Sequence, residues 1–328
     1  MRMKKLLCFA LTLTLGLCSA GLVAGCGGKK ESDGKTDVRI AYFPNITHNQ
    51  ALVMKNQGTL EEKWKDTCNV SWTSFNAGPA EMEAIFAGEI DLGYIGPVPA
   101  ISANVKSNGE VKIISNSTNA GAVLLKRKDS GIETVSDLEG KKVAVPQLGN
   151  TQHLCMLNIL KKNNLTDVEI SASSNADILN LIDNGSVDAA LVPEPWGTTI
   201  ENNGNADILL DYDKVFLEGN YPTAVVVVSK DFMDEHPDLV KEFLEAHEEA
   251  SVYINNNLSE AIGIVNSEIE AATGKLLDED VINNAFARMT ITTELNHDAI
   301  MEFARISKEE GFIDTVPEES DVFTTEIN

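Results

Sequence analysis

Short apolar runs alternate along the chain with segments whose apolar residues recur at helical spacing. The run at residues 38–42 stops at a Pro-Asn pair, and further on Met82, Ile85 and Phe86 share one face of a predicted helix. The alternation predicts strands at residues 38–42, 70–75, 92–95, 111–114, 122–125, 141–145, 168–170, 189–192 and 208–210. Strands that alternate with helices are typical of an α/β fold with a largely parallel sheet.

The alternation restarts after residue 131, so the pattern predicts two sequential α/β units. The strands at 111–114 and 122–125 are expected to complete the first unit. A later run, AVVVV at residues 224–228, suits a strand that is buried on both faces. The rest of the chain has helical periodicity, with helices predicted at residues 237–252, 259–273, 278–288 and 296–310.

The N-terminus has the pattern of an export signal. Arg2, Lys4 and Lys5 precede residues 6–25, which contain no charged side chain. The length alone would also allow a transmembrane helix. The run ends in LVAGC, which resembles a bacterial lipobox, so we predict that residues 1–25 are removed and that Cys26 is lipidated. Residues 26–36 then form a tether that holds the protein on the outer face of the cell membrane, with the lipid as its sole membrane attachment.

Composition and charge narrow the classes of function. Among 328 residues, 43% are hydrophobic and 23% charged, which indicates a globular chain with two domains or lobes. Lys and Arg number 26 against 50 Asp and Glu, for a net charge of −24, which excludes nucleic acid binding through bulk charge. Of the cysteines, Cys68 and Cys155 remain after processing and lipidation, and we expect both to be small core residues.

Motifs of catalysis and metal binding are missing from the sequence. It contains no G-x-S-x-G, H-E-x-x-H, Walker A or strand-linked G-x-G-x-x-G motif. His236 and His247 share a helical face but lie three turns apart, which is too far for one metal ion. We therefore predict a protein that is not an enzyme and that uses no cofactor and no metal.

One local pattern recurs where predicted strands end and helices begin. Gly, Pro, Asn and Thr residues occupy these junctions at 45–48, 76–79, 96–99 and 147–152. Helix N-termini present unpaired N–H groups and a partial positive charge, so several that converge can hold an anion without Lys or Arg. Because ligands of α/β sheets bind at the carboxyl ends of the strands, the pattern predicts a ligand cleft between the two units.

Three motifs, in order, give the chain a family resemblance over about residues 38–250. TSFNAGPAEMEAIFAGEIDLGYIGPVPAI, the stretch from Thr134 to His153, and SVDAALVPEPWG resemble the nitrate, sulfonate and taurine substrate-binding proteins of ABC importers. The resemblance implies a type II periplasmic-binding-protein fold, with two α/β lobes joined by two crossing segments. Lobe 1 would comprise residues 37–131 and 219–328, and lobe 2 residues 132–218. The implied protein is a monomer that captures a small anionic or zwitterionic solute and delivers it to a membrane permease.

The resemblance also implies the residues that face the ligand. They are Pro44, Asn45, Thr47, His48, Asn76, Ala77, Gly78, Gly96, Pro97, Asn119, Gly149, Asn150, Thr151, Gln152, Glu194 and Trp196. Glu194 departs from what a sulfonate site requires, because two negative charges repel in a dry cleft. Either Glu194 points away and Trp196 lines the cleft, or the ligand also carries a cation, as taurine does.

Three other functions stay open at this point. Thiamine-pyrimidine synthases share the implied fold and use a histidine of their own as substrate, which would nominate His48 or His153, although the lipobox argues against a cytosolic enzyme. A binder of a thiamine-pyrimidine precursor or another heterocycle would require a cleft lined by aromatic residues. A sensor lipoprotein without a permease is the third alternative.

Overall fold

The computed structural model describes residues 34–324, in which helices flank two β-sheets. The strands are β1 (Thr36–Tyr42), β2 (Cys68–Ser74), β3 (Leu92–Ile95), β4 (Val111–Ala120), β5 (Ala122–Arg127), β6 (Lys142–Val145), β7 (Glu169–Ala172), β8 (Ala189–Pro193), β9 (Ala206–Leu210), β10 (Pro222–Ser229) and β11 (Met289–Ile291). The α-helices are α1 (Asn49–Gln57), α2 (Thr59–Lys63), α3 (Gly78–Phe86), α4 (Pro97–Lys106), α5 (Thr151–Lys162), α6 (Asn175–Asp183), α7 (Trp196–Asn202), α8 (Tyr212–Val215), α9 (Lys230–Glu235), α10 (Pro237–Asn256), α11 (Leu258–Thr273), α12 (Glu279–Phe286), α13 (His297–Glu309) and α14 (Glu319–Val322).

Both sheets combine parallel and antiparallel strands. The first sheet has the order β11-β4-β10-β3-β1-β2, with β1 parallel to β2 and β3 and with β10 antiparallel to β3 and β4. The second sheet has the order β7-β6-β8-β5-β9, with β6 parallel to β7 and β8. The parallel strands of each sheet therefore end at one edge, where the loops that follow them meet.

The sheet pairing corrects the prediction that residues 122–125 complete the first unit. Strand β5 pairs with β8 and β9, so it belongs to the second sheet. The chain leaves the first sheet at Ala120 and Gly121, whose φ angles are 59° and 73°. This left-handed turn places two adjacent apolar runs in different sheets. The hydrophobic pattern predicts that each run is a strand, but it does not identify the strand with which each run pairs.

The buried run near residue 225 returns to the first sheet as predicted. Strand β10 lies between β3 and β4, and all its residues except Ser229 are buried. The four predicted C-terminal helices are present as α10, α11, α12 and α13. The short strand β11, which pairs with β4, was not predicted.

The hydrophobic core extends across both sheets. The described residues from Lys35 onward form one unit, and one buried cluster includes Ile101 of α4, Leu154 of α5 and Phe303 of α13. Cys68 and Cys155 are buried free thiols, as expected for small core residues.

The predicted export signal, the lipidation site Cys26 and most of the tether lie outside residues 34–324. Within that range, every helix is too short or too polar to cross a bilayer.

Candidate functional site

A cavity of about 580 Å³, called here the central cavity, opens where the parallel strands of both sheets end. The first sheet contributes the loops after β1, β2 and β3, and the second contributes the loops after β6, β7 and β8. Thr223, at the start of the antiparallel strand β10, reaches the same edge. A further wall comes from α11 and the loop that follows it, through Ile269, Thr273, Lys275 and Leu277.

The loop after β1 presents neutral polar groups to the central cavity. Asn45 Oδ1 accepts hydrogen bonds from the N–H and the hydroxyl of Thr47, at 2.9 and 3.0 Å. His48 Nδ1 accepts the N–H of Phe43 at 3.0 Å, which leaves the ring proton of a neutral His48 on Nε2. Burial lowers the pKa of His48 to about 3, so the imidazole is an uncharged donor at neutral pH.

Helices α3 and α4 begin at the cavity without a side-chain cap. Their N-cap residues, Ala77 and Gly96, provide no side-chain cap. The N–H groups of Gly78 and Ala80 in α3 and of Val98 in α4 are therefore not capped, while the prolines of both first turns carry no N–H. The two helix starts pack closely, because a Cβ on Gly78 would lie 2.4 Å from Pro99 Cγ. The positive ends of both helix dipoles therefore face the same space.

Helix α5 brings the second sheet to these helix starts. Asn150 Oδ1 caps the helix by accepting the N–H of His153 at 2.8 Å. The hydroxyl of Thr151, a residue 3% exposed, is buried and has no hydrogen-bond partner. A Cβ on Gly96 would lie 2.5 Å from that hydroxyl oxygen, so the starts of α4 and α5 are in direct contact. The Thr151 hydroxyl is therefore a hydrogen-bonding group at the start of α5 that no protein group uses.

Aromatic rings and a single charged side chain complete the lining. Phe43, Phe75 and Trp196 are half-buried in the wall of the central cavity. Among the described lining residues none is Asp or Glu, and Lys275 is the one residue with a charged side chain. Lys275 is exposed at the outer edge. The lining therefore favours an anion and offers no carboxylate for a cation.

Most of the residues predicted to face the ligand come together in the central cavity. They are Pro44, Asn45, Thr47, His48, Asn76, Ala77, Gly78, Gly96, Asn150, Thr151, Gln152 and Trp196.

Three predicted residues lie outside this lining. Pro97, the residue after Gly96, is buried. Gly149 lies in a turn, and its own N–H donates to His153 Nδ1. Asn119 lies on β4, accepts a hydrogen bond from Asn116 at 2.9 Å and lines a separate cavity of about 440 Å³. The assignment by resemblance follows the position of a loop along the chain, whereas membership of the cavity lining depends on the direction of individual groups.

Glu194 also lies outside the lining. Two alternatives were open: either Glu194 points away from the cleft, or it faces a ligand that carries a cation. Its side chain is fully buried, accepts the Thr198 N–H at 2.9 Å and pairs with Arg288 at 2.9 Å. Burial raises the pKa of Glu194, whereas the Thr198 N–H and the Arg288 guanidinium oppose the rise. Glu194 thus points away, and Trp196 lines the cavity.

Several lining residues were not among those predicted to face the ligand. Phe75 and Gln147 lie inside the quoted motifs, Ser174 and Asn175 follow the predicted strand at 168–170, and Thr223 precedes the apolar run at 224–228. Lys275 lies far along the chain in a segment without a motif, so no local signal could have placed it here. Among residues 34–324, no group of His, Cys, Asp or Glu is arranged to hold a metal ion.

Comparison with known proteins agrees with this architecture. The chain is 28% identical to a putative aliphatic sulfonates-binding protein of Bacillus subtilis, over 86% of the chain and 83% of the relative. It is 30% identical to the taurine-binding periplasmic protein of Escherichia coli, over 54% of the chain and 55% of the relative.

Solved structures establish the fold class. The alkanesulfonate-binding protein SsuA from Xanthomonas axonopodis pv. citri, bound to MOPS, superposes with a TM-score of 0.72 at 21% identity, over 88% of this chain and 96% of that one. The nitrate-binding protein NrtA from Synechocystis superposes with a TM-score of 0.68 at 13% identity, over 87% and 84%. The fold is the type II periplasmic-binding-protein fold. A family model described as NMT1-like matches residues 31–265, and the chain belongs to this family.

Proposed function

We propose that the protein is the solute-binding component of an ABC importer, which captures a sulfonate-like anion in the central cavity and delivers it to a membrane permease. The observation that carries the proposal is the unpartnered hydroxyl of Thr151 beside the uncapped starts of α3 and α4. N–H groups, a hydroxyl and the neutral His48 are donors that an oxyanion accepts from, and no described lining residue is acidic. The names of the relatives support the same class of solute.

The long-range field of the protein opposes the capture of an anion, so the local donors must outweigh it. The net charge of the full sequence is −24, and the predicted removal of Arg2, Lys4 and Lys5 makes it −27. A hydrogen bond to a charged group contributes about 1.5–3 kcal/mol, so three or four such bonds support micromolar affinity.

The residues proposed to hold the solute are those of the predicted set that line the central cavity. Lobe 1 is proposed to contain the first sheet and lobe 2 the second, with crossing segments near Gly121 and residues 211–221. Because the start of α5 already touches the start of α4, the structure is proposed to represent the closed arrangement of the lobes, and opening would separate the two helix starts. The protein is proposed to act as a monomer that the lipid on Cys26 anchors outside the cytoplasm, with no chemistry on the solute.

The aromatic lining favours one second candidate, a binder of a small heterocycle such as a thiamine-pyrimidine precursor. Phe43, Phe75 and Trp196 provide the kind of surface on which a flat ring packs. The two candidates differ in charge, because the pyrimidine is neutral and the sulfonate is an anion.

A thermal-shift screen followed by calorimetry tests both candidates. The full chain is titrated with benzenesulfonate, methanesulfonate, taurine, nitrate and 4-amino-5-hydroxymethyl-2-methylpyrimidine. Saturating ligand raises the melting temperature by mass action. We expect stabilisation by at least one sulfonate and none by the pyrimidine, and the reverse result would favour the heterocycle binder. Loss of sulfonate uptake on deletion of the gene, restored by the wild-type chain, tests the role in transport.

A further inference from the structure

The central cavity is larger and more layered than a bare oxyanion requires. Its volume is about 580 Å³, within the range of pockets that enclose drug-sized ligands. Nitrate or methanesulfonate would occupy a small part of it. By exposure and chemistry the lining residues fall into three groups, called here the floor, the middle layer and the outer layer.

The floor of the cavity is polar and uncharged. Thr47, His48 and Thr151 are 3%, 1% and 3% exposed, and the starts of α3 and α4 lie beside them. Since the hydroxyl of Thr151 has no partner, this layer is where an anionic group gains most.

The middle layer is apolar. Phe43, Phe75, Trp196 and Leu277 are half-buried, and the buried Ile269 of α11 adds a further apolar side chain to the lining. Aromatic and aliphatic side chains favour binding of a ligand whose hydrocarbon surface they cover. Taurine and nitrate have too little hydrocarbon surface to use them.

The outer layer carries the one positive charge found among the described residues of the lining. Lys275, Asn76 and Ser174 are exposed, and Lys275 has no ion pair with any residue from 34 to 324. The ammonium of taurine would face this lysine and would find no carboxylate among the described lining residues. A like charge at this edge is unfavourable, whereas an electron-rich or anionic group is favourable.

Resting on the function proposed above, we infer that the ligand is an elongated organic sulfonate with an apolar, ring-sized body and an electron-rich outer end. The sulfonate lies on the floor beside Thr151, the body packs against Trp196 and the two phenylalanines, and the outer end meets Lys275. Taurine and inorganic oxyanions are then poor ligands.

Calorimetry on the full chain with four probes tests this inference. The probes are methanesulfonate, taurine, benzenesulfonate and 4-sulfobenzoate. Benzenesulfonate should bind at least about a hundredfold more tightly than methanesulfonate, because it buries a ring. 4-Sulfobenzoate should bind about three- to fivefold more tightly than benzenesulfonate, as expected for an exposed ion pair.

Two variants and one control separate the layers. Lys275→Met should bring the affinity ratio of 4-sulfobenzoate to benzenesulfonate to about one, whereas Lys106→Met, at the far end of α4, should leave that ratio unchanged. Trp196→Leu should weaken benzenesulfonate and leave methanesulfonate nearly unchanged. The inference is overturned if taurine binds as tightly as benzenesulfonate, or if Lys275→Met leaves the ratio intact, while the proposed function would survive either result. If none of the four probes binds, the proposed function itself fails.

Discussion

Glu81 should make the stability of this protein fall as the pH rises. Its side chain is fully buried on α3, and neither carboxylate oxygen has a hydrogen-bond partner. Burial raises the pKa of Glu81 well above its ordinary value of 4.5, so the folded protein keeps this carboxyl protonated to a higher pH than the unfolded chain does. The unfolded chain releases the proton above pH 4.5. It therefore binds fewer protons than the folded chain, and stability decreases with pH.

The magnitude follows from linkage. Between the unfolded and the folded pKa, each pH unit removes about 1.4 kcal/mol of unfolding free energy through this one group. Glu81→Gln has nearly the same shape and cannot ionise, so it lacks this contribution. The unfolding free energy of Glu81→Gln, relative to that of the wild type, should rise by up to about 1.4 kcal/mol for each pH unit above 4.5. The rise should stop when the pH reaches the pKa of Glu81 in the folded protein.

Urea denaturation at pH 5, 6, 7 and 8 measures the effect as the difference in unfolding free energy between variant and wild type. Glu83→Gln is the matched control, because Glu83 is exposed on the same helix. The reasoning is refuted if the Glu81→Gln difference is constant from pH 5 to pH 8, or if Glu83→Gln shows the same pH dependence.

The remaining predictions concern the site and the buried polar groups. Thr151→Val should weaken benzenesulfonate binding roughly tenfold in calorimetry, because one donor to the anion is lost at constant volume; unchanged affinity would contradict this. Gly96→Ala should also weaken binding, since its Cβ would lie 2.5 Å from the Thr151 hydroxyl, and normal affinity would show that the starts of α4 and α5 do not need to touch. Arg288→Gln should destabilise the fold by about 3–5 kcal/mol in urea, because it leaves Glu194 buried without its ion pair, and a further Glu194→Gln should recover part of the loss. Burial lowers the pKa of His247 to about 4, so acidification from pH 6.5 to 5 should cost about 2 kcal/mol through this residue. His247→Gln should flatten that slope, and an equal slope in both proteins would be the contrary result.

The parts of the fold and site that the sequence predicted are those with local causes. Apolar periodicity located the strands and helices, and Gly, Pro and Asn at the strand ends located the loops of Asn45, Gly78, Gly96 and Thr151. These loops meet in the central cavity because parallel strands end at one edge of each sheet.

The parts that were missed depend on contacts distant in sequence. The run at 122–125 has the same pattern whether it joins the first sheet or, as β5, the second. Lys275 reaches the cavity because α11, which precedes it, packs against α1 and α10. Glu194 turns away because Arg288 approaches from a segment 94 residues later. Glutamate usually lies on the surface, but Glu81 is buried because α3 places its side chain against Gly93 of β3, a contact distant from it in sequence.

A crystal structure of the protein with benzenesulfonate tests most directly whether an anion is held at the helix starts of the central cavity. The account predicts sulfonate oxygens within hydrogen-bond distance of Thr151 Oγ1 and beside the starts of α3 and α4, with the ring against Trp196. A sulfonate bound to Lys275 with the ring on the cavity floor, or bound outside the cavity, would contradict it.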